Sequence, residues 1–185
     1  VTVTVTMWPP ALAPDLLITI PASPSGVKVP FDMATRTTNP AGVGYQYQVE
    51  SVSDIKYEKL LVDGTDYGQN NKKGSDLGFQ EQANALGGGT FIYRAIAPDL
   101  TPSATTGKAT IIVVPVAKDD AFSVKKKTPN NAINVGTNDI PNNFNGVVQF
   151  SAAGVSTPSC GTLSANQPDA RNGILRYDAP NGAGT

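Results

Sequence analysis

The 185-residue sequence contains no histidine and a single cysteine, Cys160. Without histidine, Ser-His-Asp and Cys-His catalysis, histidine-ligated zinc and imidazole proton shuttling are excluded within this chain. One cysteine cannot form an intrachain disulfide, so core packing and ladder hydrogen bonds must hold the fold. Placed just before an expected strand, Cys160 reads as a small buried apolar residue. Charge is scarce too: 14 basic and 15 acidic residues leave a net charge of −1, and only 16% of residues are charged. No field of one sign draws the chain to nucleic acid or to an anionic membrane. No apolar run approaches the roughly 20 residues of a membrane-spanning helix. Aromatic residues make up 7%, and Trp8 is the sole tryptophan, read as a packing residue, with a sugar platform as the alternative. Gly87-Gly88-Gly89 has neither the lysine nor the strand–loop–helix setting of a phosphate loop. Glu50, Glu58 and Glu81 are scattered and form no recognisable acid–base pair. A non-enzymatic chain is expected, with no cofactor apart from a candidate calcium ion considered below.

Turn formers and alternating apolar residues are abundant. Glycine (18) and proline (15) recur without a collagen-like period, as expected of many turns between short elements. Residues 1–6 alternate valine with threonine, the period-2 pattern of a strand with one buried face, and Pro9, Pro10 and Pro14 forbid its continuation. Further strands are expected over residues 16–20, 27–31, 45–49, 55–62, 90–95 and 109–116, with Tyr45, Tyr47 and Val49 on one face. Phe79, Ala83 and Leu86 recur at helical spacing and predict one short helix, stopped by Gly87-Gly88-Gly89. A second series of strands is expected over residues 121–124, 132–135, 147–150, 161–164 and 174–177, with turns at Asn145-Gly146 and Asn172-Gly173. Lys125-Lys126-Lys127 reads as a solvated strand edge, with contact to a polyanion as the alternative. The expected organisation is therefore a terminal strand (1–7), one β-sandwich of about seven strands (8–116) and a second β-sandwich (117–185) lacking its last strands. With neither initiator methionine nor leader, the chain reads as a portion of something larger.

The second region carries a family pattern. Ala117-Lys118-Asp119-Asp120-Ala121-Phe122-Ser123-Val124, then Thr128-Pro129, Ile133-Asn134-Val135 and Thr137-Asn138-Asp139 follow in order. Cys160-Gly161-Thr162-Leu163 and Ile174-Leu175-Arg176-Tyr177-Asp178-Ala179-Pro180 complete the series. Together they resemble the tandem Ig-like and cadherin-like repeats of large bacterial surface proteins, both adhesins and filaments. Residues 89–116 and 1–6 are similar to the closing strands of such repeats. The first region lacks the Asp-Asp opening and is longer. The resemblance implies an all-β fold of tandem immunoglobulin-like β-sandwich modules at the bacterial cell surface or outside it.

Two sets of residues follow as candidates. Asp119, Asp120, Asn138 and Asp139 offer the hard oxygens that calcium prefers, and the resemblance implies calcium at such a junction. The alternative is that Asp119-Asp120 closes a linker while Asn138-Asp139 makes a turn with its own backbone. Val1, Val3 and Val5 form the second set, an assembly strand that would complete a neighbouring module, either along one chain or between chains. The expected function is a structural stalk, fibre or filament whose partners are copies of itself, end to end. The alternative is an adhesin module that binds a surface glycan or protein.

Overall fold

The computed structural model describes residues 2–5, 7–40, 43–53, 55, 59–67, 72–141, 160–164 and 173–181. Val1 of the expected assembly strand, the expected strand 147–150, the Asn145-Gly146 turn and Asn172 lie outside the described residues. The chain divides into two compact units, Val1–Val114 and Pro115–Thr185. Both are built of β-strands, and the one helix among the described residues has four residues.

Among the described residues, unit 1 holds nine strands in two sheets. Strands β1 (Leu16–Pro21), β3 (Gln46–Ser53), β6 (Lys73–Gly74), β8 (Gly88–Ile96) and β9 (Gly107–Val114) form the first, in the order β1-β9-β8-β3-β6. Strands β2 (Lys28–Pro30), β4 (Lys59–Val62), β5 (Thr65–Asp66) and β7 (Leu77–Gln80) form the second, in the order β2-β7-β4-β5. Alternation decides which side chains go inward. Ile18 and Ile20 of β1, Tyr47 and Val49 of β3, Phe91, Tyr93 and Ala95 of β8, and Ala109, Ile111 and Val113 of β9 are all buried. Tyr45, just ahead of β3, shares the buried face with Tyr47 and Val49, as their spacing predicts. The two sheets meet where Phe31, next after β2, stacks on Phe91 of β8 with ring centroids 6.0 Å apart. Tyr93 packs against Phe91 at the same centroid distance.

The outer strands of unit 1 are poor templates for further pairing. The Ala22 N–H donates to the Val114 carbonyl at 2.8 Å. N–H direction alternates along a strand, so Ile18 and Ile20 also point theirs at β9, while Leu17 and Thr19 point theirs away. Pro21 therefore falls where a missing N–H removes no ladder bond and blunts the edge. At the other described edges β2 ends in Pro30, while β5 and β6 have two residues each. A two-residue Asp63-Gly64 loop with both residues at positive φ joins β4 to β5, the local chemistry of a tight hairpin.

One expectation for unit 1 is corrected. Phe79 and Ala83 do not lie on a helix: Leu77–Gln80 is a strand between β2 and β4. Leu77, Phe79 and Glu81 are buried at a spacing of two, and that period prevails over the weaker helical one. The helix lies instead at Met33–Arg36 (α1), too short to show a period. Its first N–H groups, on Asp32 and Met33, donate to the Asp76 carboxylate at 3.1 and 2.8 Å.

Glu81 is the anomaly of this core. It is 3% exposed, and neither carboxylate oxygen has a hydrogen-bond partner. Burial raises its pKa; groups of Val27 and Ser23 face the carboxylate and pull the other way without reaching good hydrogen-bond geometry. A raised carboxyl pKa favours the native state while the group is protonated, and the benefit is lost as pH rises through the folded-state value. Stability of unit 1 should therefore fall between the ordinary glutamate value of 4.5 and the raised one. Glu81→Gln should melt higher than the parent at pH 7 and show no gain below pH 4. Equal melting temperatures at pH 7, followed by far-ultraviolet circular dichroism, would contradict this.

The described part of unit 2 contains a three-stranded antiparallel sheet, β10-β12-β11, of β10 (Asn131–Asn134), β11 (Thr162–Leu163) and β12 (Ile174–Asp178). Tyr177 on β12 is buried, and its hydroxyl donates to the Cys160 carbonyl. Gly161 lies beside that hydroxyl at φ +71°, where an added Cβ would collide with it. Cys160 itself is exposed, which corrects the expectation of a buried thiol. Residues 121–125 belong to no strand, and the three lysines are exposed in a loop and turn rather than along a sheet edge.

Candidate functional site

The segment before β1 is a strap held against unit 1 by side chains far away in sequence. The Tyr45 hydroxyl donates to the Pro9 carbonyl at 2.7 Å. Asn39, itself buried, accepts from the Leu12 N–H at 2.9 Å and donates to the Leu12 carbonyl at 3.0 Å. It also donates to the Thr37 hydroxyl, which bonds the Tyr47 hydroxyl at 2.9 Å. The Tyr93 hydroxyl donates to the Pro14 carbonyl at 2.6 Å, and burial among its neighbours pushes its pKa far above the usual tyrosine value. Asp15 then accepts the Lys108 N–H at 2.8 Å. Proline suits such a strap because it has no N–H to leave unsatisfied while its carbonyl still accepts. Gly107 is required beneath it, since a Cβ there would run into the Ala13 and Pro14 carbonyls.

Ahead of the strap, the Val3 and Val5 side chains are each 78% exposed and residues 2–5 pair with no strand. Two residues apart, they fall on one face wherever this segment is extended. Trp8, expected to pack, is instead 40% exposed. It stands at a cavity of about 420 Å³ lined also by Pro10, Leu12, Asp99, Pro102 and Ala104. The Asp99 carboxylate accepts the Thr101 N–H at 2.9 Å, and the bonds from Thr101 hold its pKa below the usual range. The sequence reading missed this cavity because its two walls are about 90 residues apart and neither has a motif.

In unit 2 the aspartates are gathered by a short antiparallel bridge. Val116 and Ile140 exchange backbone bonds of 2.8 and 2.9 Å. One step along, the Lys118 N–H donates to Asp139 Oδ1 at 2.8 Å, and the Asn138 amide donates to the Asp119 carbonyl at 2.9 Å. Asp139 is buried, whereas Asp119 and Asp120 are exposed. Local desolvation, then the charges of Asp139 and Asp119, push the Asp120 carboxyl above its usual value. Asp120 thus senses the other two acids, yet among the described residues no three acidic or cysteine side chains form a group able to hold a metal ion. One Asp139 oxygen is already engaged, and Asn138 is turned to a backbone carbonyl, so the arrangement does not supply a calcium shell unaided.

These features define an all-β protein with a strapped first unit and an exposed apolar segment ahead of the strap. Comparison of the chain with protein-family models, with curated proteins and with solved structures gave no match. No helix among the described residues is long and apolar enough to cross a membrane.

Proposed function

We propose that this chain is a non-catalytic part of an extracellular bacterial surface fibre, stalk or filament, built from tandem immunoglobulin-like modules and assembled by strand complementation. The observation that carries this reading is the exposed pair Val3 and Val5 on a segment anchored immediately downstream. Exposed valines at a spacing of two are the side chains that a neighbouring sheet would cover. The outer strands of unit 1 are blunted, which favours an acceptor elsewhere, in another module or another copy. The strand order supports the immunoglobulin-like assignment. With β5 and β6 set aside, seven strands divide as β1-β9-β8-β3 and β2-β7-β4. That is the partition of an immunoglobulin sandwich with its first strand moved to the opposite sheet.

Changing Val3 and Val5 to aspartate places two charges where the account needs apolar contact. Burying the two valines contributes roughly 3–6 kcal/mol before ordering costs. In sedimentation velocity, the parent chain should form end-to-end oligomers as its concentration rises, and the double variant should remain monomeric. Oligomers of equal size and affinity in both would sink the strand role.

Calcium at Asp119, Asp120 and Asp139 belongs to the same proposal, with further ligands supplied from beyond these side chains. In calorimetry, heat released on adding calcium should vanish when all three are alanine. Heat that survives the triple replacement removes these residues from the site.

The cavity beside Trp8 favours a second reading, an adhesin module that holds a glycan or a peptide. An indole gives a stacking face, the anionic Asp99 an acceptor, and the volume suits a small ligand. As the sole tryptophan, Trp8 would report occupation of the cavity through its fluorescence.

A further inference from the structure

We propose that unit 1 is a load-bearing element whose β1–β9 ladder is pulled in shear, an inference that rests on the fibre or stalk reading above. Strand β1 runs parallel to β9, with six register pairs from Leu16↔Ala109 to Pro21↔Val114. In a parallel pair the start of one strand lies at the opposite end from the finish of the other. Chain enters the ladder at Leu16 and leaves unit 1 after Val114, so tension along the protein draws β1 and β9 in opposite directions along their own axes. All the bonds between them are then strained together, and none yields before its neighbours. An antiparallel terminal pair loaded through adjacent ends would open one bond at a time.

The rest of unit 1 is arranged to keep that load on the ladder. The strap enters under tension first, and the bonds from Tyr45 to Pro9, Asn39 to Leu12 and Tyr93 to Pro14 tie it to β8 and to the loop before β3. Strand β9 is backed by β8 through six further register pairs, so it cannot move with β1. Ile18, Ile20, Ile111 and Val113 are buried on the core face, which keeps water from competing for the ladder bonds. The Ala22 N–H extends the ladder by one bond past the last register pair.

Single-molecule pulling on one protein in two directions tests this. The full chain with Cys160→Ser is attached by cysteines at Thr2→Cys and Pro115→Cys for shear, and at Ser25→Cys and Pro115→Cys for peeling. Ser25 follows Ala22, which bonds Val114, so the second pair loads the ladder from one end. All three attachment positions are exposed, and matching thermal melts of the two proteins establish that unit 1 is equally stable in both. The expected result is a several-fold higher unfolding force in shear than in peeling. Equal forces, or a lower force in shear, would overturn the clamp while leaving the assembly account to its own test. Loss of assembly in the Val3→Asp, Val5→Asp variant, by contrast, would leave the shear force of the isolated molecule unchanged.

Discussion

Phe91→Ala is expected to destabilise unit 1 by about 3–5 kcal/mol, the cost of removing a large ring from a core that collapses only in part. Phe91 is almost wholly buried on β8 and lies in the plane-parallel stack with Phe31 at 6.0 Å. It also touches Tyr93, which anchors the strap at Pro14. The ring thus joins the two sheets and supports the strap from below. Denaturant unfolding of the full chain should show a lower midpoint for unit 1, with a fall in melting temperature above about 10 °C. A loss under about 1 kcal/mol would mean that the sheets do not depend on this contact.

Asn39→Ala is expected to cost about 2–4 kcal/mol, because it removes the four hydrogen bonds that the buried Asn39 side chain makes. The Leu12 N–H and carbonyl lose both of their bonds to the side chain, and the Thr37–Tyr47 hydroxyl pair loses its donor. Water must then reach the strap, so the strap should lift. Trp8 lies four residues before Leu12 on the same segment, and its emission should shift to the red in the variant. Asn39→Asp keeps an acceptor for the Leu12 N–H but loses the donors, so an intermediate loss is expected. Equal stability of all three proteins would show that the strap is held by its prolines and not by Asn39.

The strands were legible wherever one face is buried and the other wet. Residues 45–49, 90–95 and 109–114 alternate strongly, and strands form over 46–49, 90–95 and 109–114 with the expected side chains inward. Asp63-Gly64, just past the expected strand 55–62, closes a hairpin because its residues accept positive φ. What the strands pair with was not legible. The parallel β1–β9 ladder joins residues 93 apart, and period-2 alternation is the same whichever neighbour a strand takes. Of the strap, only its prolines were legible, as a stop to the strand before it. Its bonds come from single side chains 27, 36 and 79 residues away, and such contacts leave no period in the sequence. Residues 121–124 alternate as a strand should, yet the described structure places them in none. There Phe122 and Val124 remain exposed, so alternation without a partner sheet made no strand. The acids near residue 119 were legible as a cluster, since the bridge from Val116 to Ile140 brings Asp119 and Asp139 together. Their hydrogen bonds were not, and those bonds occupy oxygens that a cation would use.

Hydrogen exchange at the amides of residues 2–5 tests the central claim most directly. Alone, this segment pairs with nothing in its own unit and its amides should exchange at the rate of an unstructured peptide. When the valines enter a neighbouring sheet, ladder bonds form and exchange slows. The account predicts protection of these four amides that grows with protein concentration in step with oligomer formation, and that is absent when Val3 and Val5 are aspartate. Fast exchange of residues 2–5 in fully assembled protein would contradict it.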